Sequence, residues 1–173
     1  VEELYLTGLH LEQYRHATRN PEDYYLEGLR RDPTDIRLNN GYGLLLYRRG
    51  QAAESLPYFR AAIAKQTWKN PNPYAGECWF NLGLALEAAG QEREAFDAFY
   101  KSTWSAETQS AGSYWLGCLS ARHGKLEEAL GFVENSLVRN WPKQKGRGPH
   151  GALLRLVGPE PPGPVGGGLA DGP

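Results

Sequence analysis

A chain of 173 residues has room for one ordinary core and little for a second, catalytic domain. With 19 basic against 20 acidic residues it offers no charge footprint for nucleic acid or an anionic membrane surface. Its two cysteines, Cys78 and Cys118, are too few for a disulfide framework and lack Cys/His neighbours at metal-ligand spacing, so both read as free thiols of a reducing compartment.

The chain is built on a repeat, most visible in its second half. Gly83 and Gly117 share one spacing with Gly90 and Gly124 and with Ala95 and Ala129, a period of the kind that marks stacked helix hairpins. Taken in chain order, the first unit covers about 2–35. It has Leu9 at the small-residue position of its first helix, a second helix started by Asn20-Pro21-Glu22-Asp23, then Tyr25, Gly28 and Pro33. That start joins a capping side chain, a proline in the first turn and two acids at the positive end of the helix dipole. The second unit, about 36–69, keeps the Gly43 and Gly50 pair and carries Leu44-Leu45-Leu46. An insertion, Asn70-Pro-Asn-Pro-Tyr-Ala75, then forms a loop, because each residue before a proline is turned away from helix. The third unit, about 76–109, and the fourth, about 110–143, complete the series.

Each unit reads as a helix, a tight turn and a second helix. Gly43, Gly83 and Gly117 are expected to face the small residues Ala62, Ser102 and Ser136, which lets the helix backbones approach closely. Gly50, Gly90 and Gly124 are expected to close the first helices in the left-handed conformation. Beyond Trp141 the pattern weakens. Ala152–Val157 reads as a terminal capping helix over about 150–157, and 159–173 as a disordered-type tail, since Pro159-Glu-Pro-Pro-Gly-Pro164 and Gly166–Gly168 carry too little apolar surface to order a chain.

At Trp79, Leu82, Gly83, Gly90, Ala95 and Phe99, and again at Leu116, Gly117, Gly124 and Ala129, the sequence resembles the tetratricopeptide repeat (TPR) family. The second unit departs from the family pattern at Asn39, Tyr42 and Ser55. The string Leu9–Pro21, with Asn70–Tyr74 and Ala98–Trp104, is more narrowly similar to the C-terminal TPR region of large bacterial proteins whose N-terminal part looks like a sugar-binding domain. The resemblance covers residues 1–158 and implies an all-α fold, a right-handed α-solenoid of about four helix-turn-helix repeats.

It also implies a concave face lined by first helices, which holds a protein or peptide partner. Carried over, that face comprises Leu6, His10, Gln13 and Tyr14 in the first unit and Arg37, Asn40, Leu44, Tyr47 and Arg48 in the second. The third contributes Glu77, Phe80, Asn81, Leu84 and Glu87, and the fourth Tyr114, Trp115, Cys118 and Arg122. The amides and guanidinium groups suit a peptide backbone and a carboxylate. The competing reading is that the aromatic rings fill gaps between repeats. Asn40, Asn81 and Arg122 supply parts of the clamp by which some family members hold a C-terminal carboxylate, but no lysine falls on the face.

Catalytic constellations are scarce. His10, His16, His123 and His150 are dispersed, and Glu12 with His16 reads as a surface helix pair. Gly166–Gly168 lacks the lysine and hydroxyl of a phosphate cradle, and the serines lack a nucleophile context. The expectation is a non-catalytic interaction scaffold without cofactor or metal, partnered by protein rather than nucleic acid or membrane. Self-association, or an accessory role in a carbohydrate-related protein with Tyr47, Phe80 and Trp115 as sugar platforms, are the alternatives. No apolar run reaches the roughly 18–20 residues of a membrane span, and Val1-Glu2-Glu3 is unlike a signal peptide, so a cytoplasmic location is expected.

Overall fold

The computed structural model describes residues 1–14 and 19–138. The capping helix expected at 150–157, the tail at 159–173 and His16 lie outside the described residues. Among those described there are eight helices and no strand. They are α1 (Glu2–Tyr14), α2 (Pro21–Arg31), α3 (Ile36–Arg48), α4 (Ala52–Thr67), α5 (Glu77–Ala88), α6 (Glu92–Ser102), α7 (Gln109–Arg122) and α8 (Leu126–Val138). None is long and apolar enough to cross a membrane.

Local chemistry accounts for the helix limits. Asn20 caps α2 by accepting the Glu22 N–H at 3.2 Å, with Pro21 in the first turn. Asp35 caps α3 by accepting the Leu38 N–H at 2.9 Å. At the other end of α5, Gly90 takes φ +76, and the Gln91 N–H reaches back to the Leu86 carbonyl at 2.8 Å. Gly50 and Gly124 close α3 and α7 in the same left-handed conformation, as the glycine spacing predicts.

Consecutive helices pack as hairpins, and each hairpin packs on the next. Within a hairpin the approach is set by a glycine under a bulky side chain. A Cβ at Gly83 would lie 2.7 Å from Phe99 ring carbons, one at Gly43 2.9 Å from Phe59, and one at Gly117 2.7 Å from Val133. The covering residue is therefore not the small one that the sequence suggested. Ser102 instead meets the following hairpin, where a Cβ at Gly112 would stand 2.5 Å from its Oγ. In the first hairpin the buried glycine is Gly8, under Tyr25, rather than Leu9. The register slips by a single position because the stretch from Gly8 to Tyr25 is longer by that much than the stretch from Gly83 to Phe99.

The positions that depart from the TPR pattern are each given a local partner. Asn39 is buried and donates to the carbonyls of Pro33 and Asp35, both at 2.9 Å, bracing the turn before α3. Tyr42 donates its hydroxyl to Glu22 at 2.8 Å; burial, and next that carboxylate, push its phenol up to about 12. Ser55 donates to the Ala52 carbonyl at 2.7 Å. The core is a chain of clusters along the stack rather than one centre: Tyr25, Leu38 and Tyr42 join the first two hairpins, and Leu56, Phe59, Leu86, Phe99 and Leu116 run through the rest.

Replacing Gly83 with alanine is expected to cost about 1–3 kcal/mol, because the added methyl meets a fully buried ring that has no room to withdraw. Urea unfolding of wild type and variant measures it, and an unchanged midpoint would show that Phe99 is not held in place.

Candidate functional site

First helices α1, α3, α5 and α7 lie side by side and present the face on which the groove residues were expected. Most of the proposed contact residues are already engaged within the array. Arg37 reaches Glu2 at 3.2 Å and Arg48 reaches Glu12 at 2.8 Å, both tying α3 to α1. Asn40 donates to Glu77 at 3.0 Å and accepts from Asn81 at 2.9 Å, tying α3 to α5. Arg122 pairs with Glu87 at 2.7 Å and with Glu92 at 3.4 Å, tying α7 to α5 and α6. The result is a polar ladder that crosses the array from α1 to α7.

This ladder changes the standing of several residues. Asn81, expected at the surface, is only 6% exposed, and its amide serves Asn40 rather than solvent. Arg37 also lies over the Tyr5 ring at 5.3 Å, which leaves its guanidinium partly exposed but oriented. Glu12 carries the most weight. Its carboxylate is 10% exposed and takes the Tyr25 hydroxyl at 2.6 Å on one oxygen and Arg48 on the other. Burial first, and then that carboxylate, hold the Tyr25 phenol far above its ordinary value. Glu12 is thus a tie among α1, α2 and α3.

Tyr47, Phe80 and Trp115 are half-buried and pack on the central core. Phe99 stacks on Trp115 at 5.5 Å with 4° between planes, filling the joint between the third and fourth hairpins, and lies 5.7 Å from Phe80 within its own hairpin. What faces outward is different: Leu6, His10 and Tyr14 on α1, and Tyr114, 37% exposed, on α7. The Cys118 thiol, one helical turn along α7, raises the Tyr114 phenol above its ordinary value. Cys78 is buried, and desolvation pushes its thiol up to about 12.

Outside this face lies a second group that the sequence reading did not mark as a site. Exposed Tyr74 and Trp104 gather with Trp79 where second helices end, beside the Asn70–Ala75 loop. The signal was present in the prolines and aromatic residues of that loop, but nothing in it showed that Trp104, a whole hairpin further along the chain, returns to the same edge.

No model of a protein family matches the chain. Tetratricopeptide repeat protein 7A of Homo sapiens is 29% identical over 96 residues, which is 56% of this chain and 10% of that protein, so the chain spans about a tenth of it. Among solved structures, MamA 41-end from Desulfovibrio magneticus RS-1 superposes with a TM-score of 0.68 at 19% identity, covering 83% of this chain and 77% of that one. PilW, described as a widely conserved type IV pilus biogenesis factor, gives 0.63 at 25% identity over 78% of this chain and 60% of that one. The fold is an all-α solenoid of TPR type.

Two measurements test the site. Glu12→Ala strands the buried Tyr25 hydroxyl and is expected to cost about 1–3 kcal/mol, whereas Arg48→Ala, which removes an exposed partner, costs under about 1 kcal/mol; equal losses in denaturant unfolding would contradict the division. For the thiols, a disulfide-exchange reagent is expected to label Cys118 in the native protein and Cys78 only on unfolding. Rapid labelling of both without denaturant would mean that the second and third hairpins separate readily.

Proposed function

We propose that the array is a non-catalytic scaffold that holds a peptide or a partner domain against the face made by α1, α3, α5 and α7. The observation that carries this reading is the polar ladder, which fixes the spacing of four helices and leaves oriented but incompletely buried charges, Arg37 and Arg122, on first helices that also expose Tyr14 and Tyr114. Donors held in place before binding lower the ordering cost of taking up an extended chain. The TPR-type fold of the chain, and its similarity to a protein named for that repeat, support a protein partner.

Of the three rings named as sugar platforms, Trp115 has one face covered by Phe99 and Phe80 leans on the same residue, which weighs against stacking a saccharide there. Photo-crosslinking from position 114 on the first-helix face, compared with position 100 on the outer helix α6, tests the proposal. A partner should crosslink from 114 and not from 100. Crosslinking from 100 alone would overturn it, and a crosslink from 114 to a second copy, with sedimentation that rises with concentration, would make the partner the chain itself.

A further inference from the structure

The edge where second helices end and first helices begin holds a cleft of about 410 Å³, between the Asn70–Ala75 loop, the start of α5 and the end of α6. Its walls are aromatic and unusually open: Trp104 is 55% exposed and Tyr74 78% exposed, with Trp79 half-buried between them. Lys101 Nζ stands 3.9 Å over the Trp104 ring. Among the described residues Lys101 is in no ion pair. Ser105 lines the floor, 3% exposed, and its Oγ is buried with no hydrogen-bond partner.

This chemistry selects among ligands. Among the described residues no aspartate or glutamate lines the cleft, so these offer none of the carboxylate acceptors that suit a saccharide's hydroxyl donors. It offers donors and flat rings instead: the Ser105 hydroxyl, the Lys101 ammonium group, and the Asn70 amide, whose carbonyl already accepts the Asn72 N–H at 3.1 Å. A proline-rich strand is the complement. It has carbonyl acceptors and few N–H donors, its rings lie flat on tryptophan and tyrosine, and its extended helix is ordered before binding. Lys101 adds a preference for an acidic residue within it.

The chain contains one such stretch, Pro159-Glu-Pro-Pro-Gly-Pro164, with Glu160 next to its first proline. Its approach is set by the described part of the fold. Ser110 donates to the Ser136 carbonyl at 2.7 Å, which holds the end of α8 against the start of α7. Thr108 donates to the Ser102 carbonyl at 2.7 Å, which holds the start of α7 against the end of α6, one wall of the cleft. The end of α8 therefore lies on the same edge. Twenty residues, 139–158, reach at most about 66–72 Å, against roughly 10 Å for each step between packed helices.

We propose that the cleft is the docking site of the chain's own segment Pro159–Pro164, its prolines the chemical complement of Trp104 and Tyr74 and Glu160 that of Lys101. The site is separate from the first-helix face.

The test uses the full chain labelled with ¹⁵N, following the indole N–H signals, with that of Trp104 assigned by Trp104→Phe. A variant carrying Glu160→Lys, Pro161→Gly and Pro162→Gly should shift the Trp104 and Trp79 signals and leave Trp115 in place. A synthetic peptide of residues 157–166 should return them toward wild-type positions, binding the variant at least about tenfold more tightly than wild type, where the tethered segment competes at millimolar effective concentration. Lys101→Glu in that variant should weaken the peptide several-fold, and the Glu160→Lys peptide should regain the loss. Signals identical in wild type and variant, or equal peptide affinity for both, would overturn the proposal. So would shifts that vary with protein concentration, which indicate a second copy, or larger shifts with an oligosaccharide than with the peptide.

Discussion

The structure depends on one contact made four times, a glycine on a first helix pressed under a bulky side chain on the second. Gly8 lies under Tyr25, Gly43 under Phe59, Gly83 under Phe99 and Gly117 under Val133. A methyl group at any of them would intrude on a buried neighbour, so the spacing within each hairpin is fixed by the absence of one carbon. Once each pair is drawn together, the residues that face the next hairpin form a continuous apolar seam, and stacking follows from burying it.

That constraint is also why so much of the fold is legible in the sequence. Glycines recurring at the period of the array mark both the tight approach and the left-handed end of the first helix, and the loop at Asn70–Ala75 shows itself through proline. The first hairpin is misread by a single position because its connection is longer, so that a period learned from the third and fourth units lands on Leu9 instead of Gly8. The partner of the glycine is misread too. Small residues suggest close packing, but whether Ser102 packs within its own hairpin or across to Gly112 depends on helix rotation, which spacing alone does not carry.

The face is less legible than the frame. Helical periodicity places Arg37, Asn40, Asn81 and Arg122 on first helices, but it cannot show that Glu2, Glu77 and Glu87 on adjacent helices answer them. These partners are separated by a whole hairpin in sequence and meet only once the array is stacked. A surface that reads as free donors is thus a framework already engaged, and a ligand that uses it must exchange with bonds in place. Such exchange favours selectivity over affinity, because a partner gains only where its groups are better placed than the carboxylates they displace.

The loop at Asn70–Ala75 carries a consequence for how such an array tolerates change. It alters the phase of the repeat along the chain while α4 and α5 still stack as neighbours. Added length is absorbed at a seam between hairpins, where the helices have already ended, and the ladder from Asn40 to Asn81 closes across it undisturbed. The edge of the solenoid therefore behaves as a margin in which new surface can be written without rewriting the text of the stack.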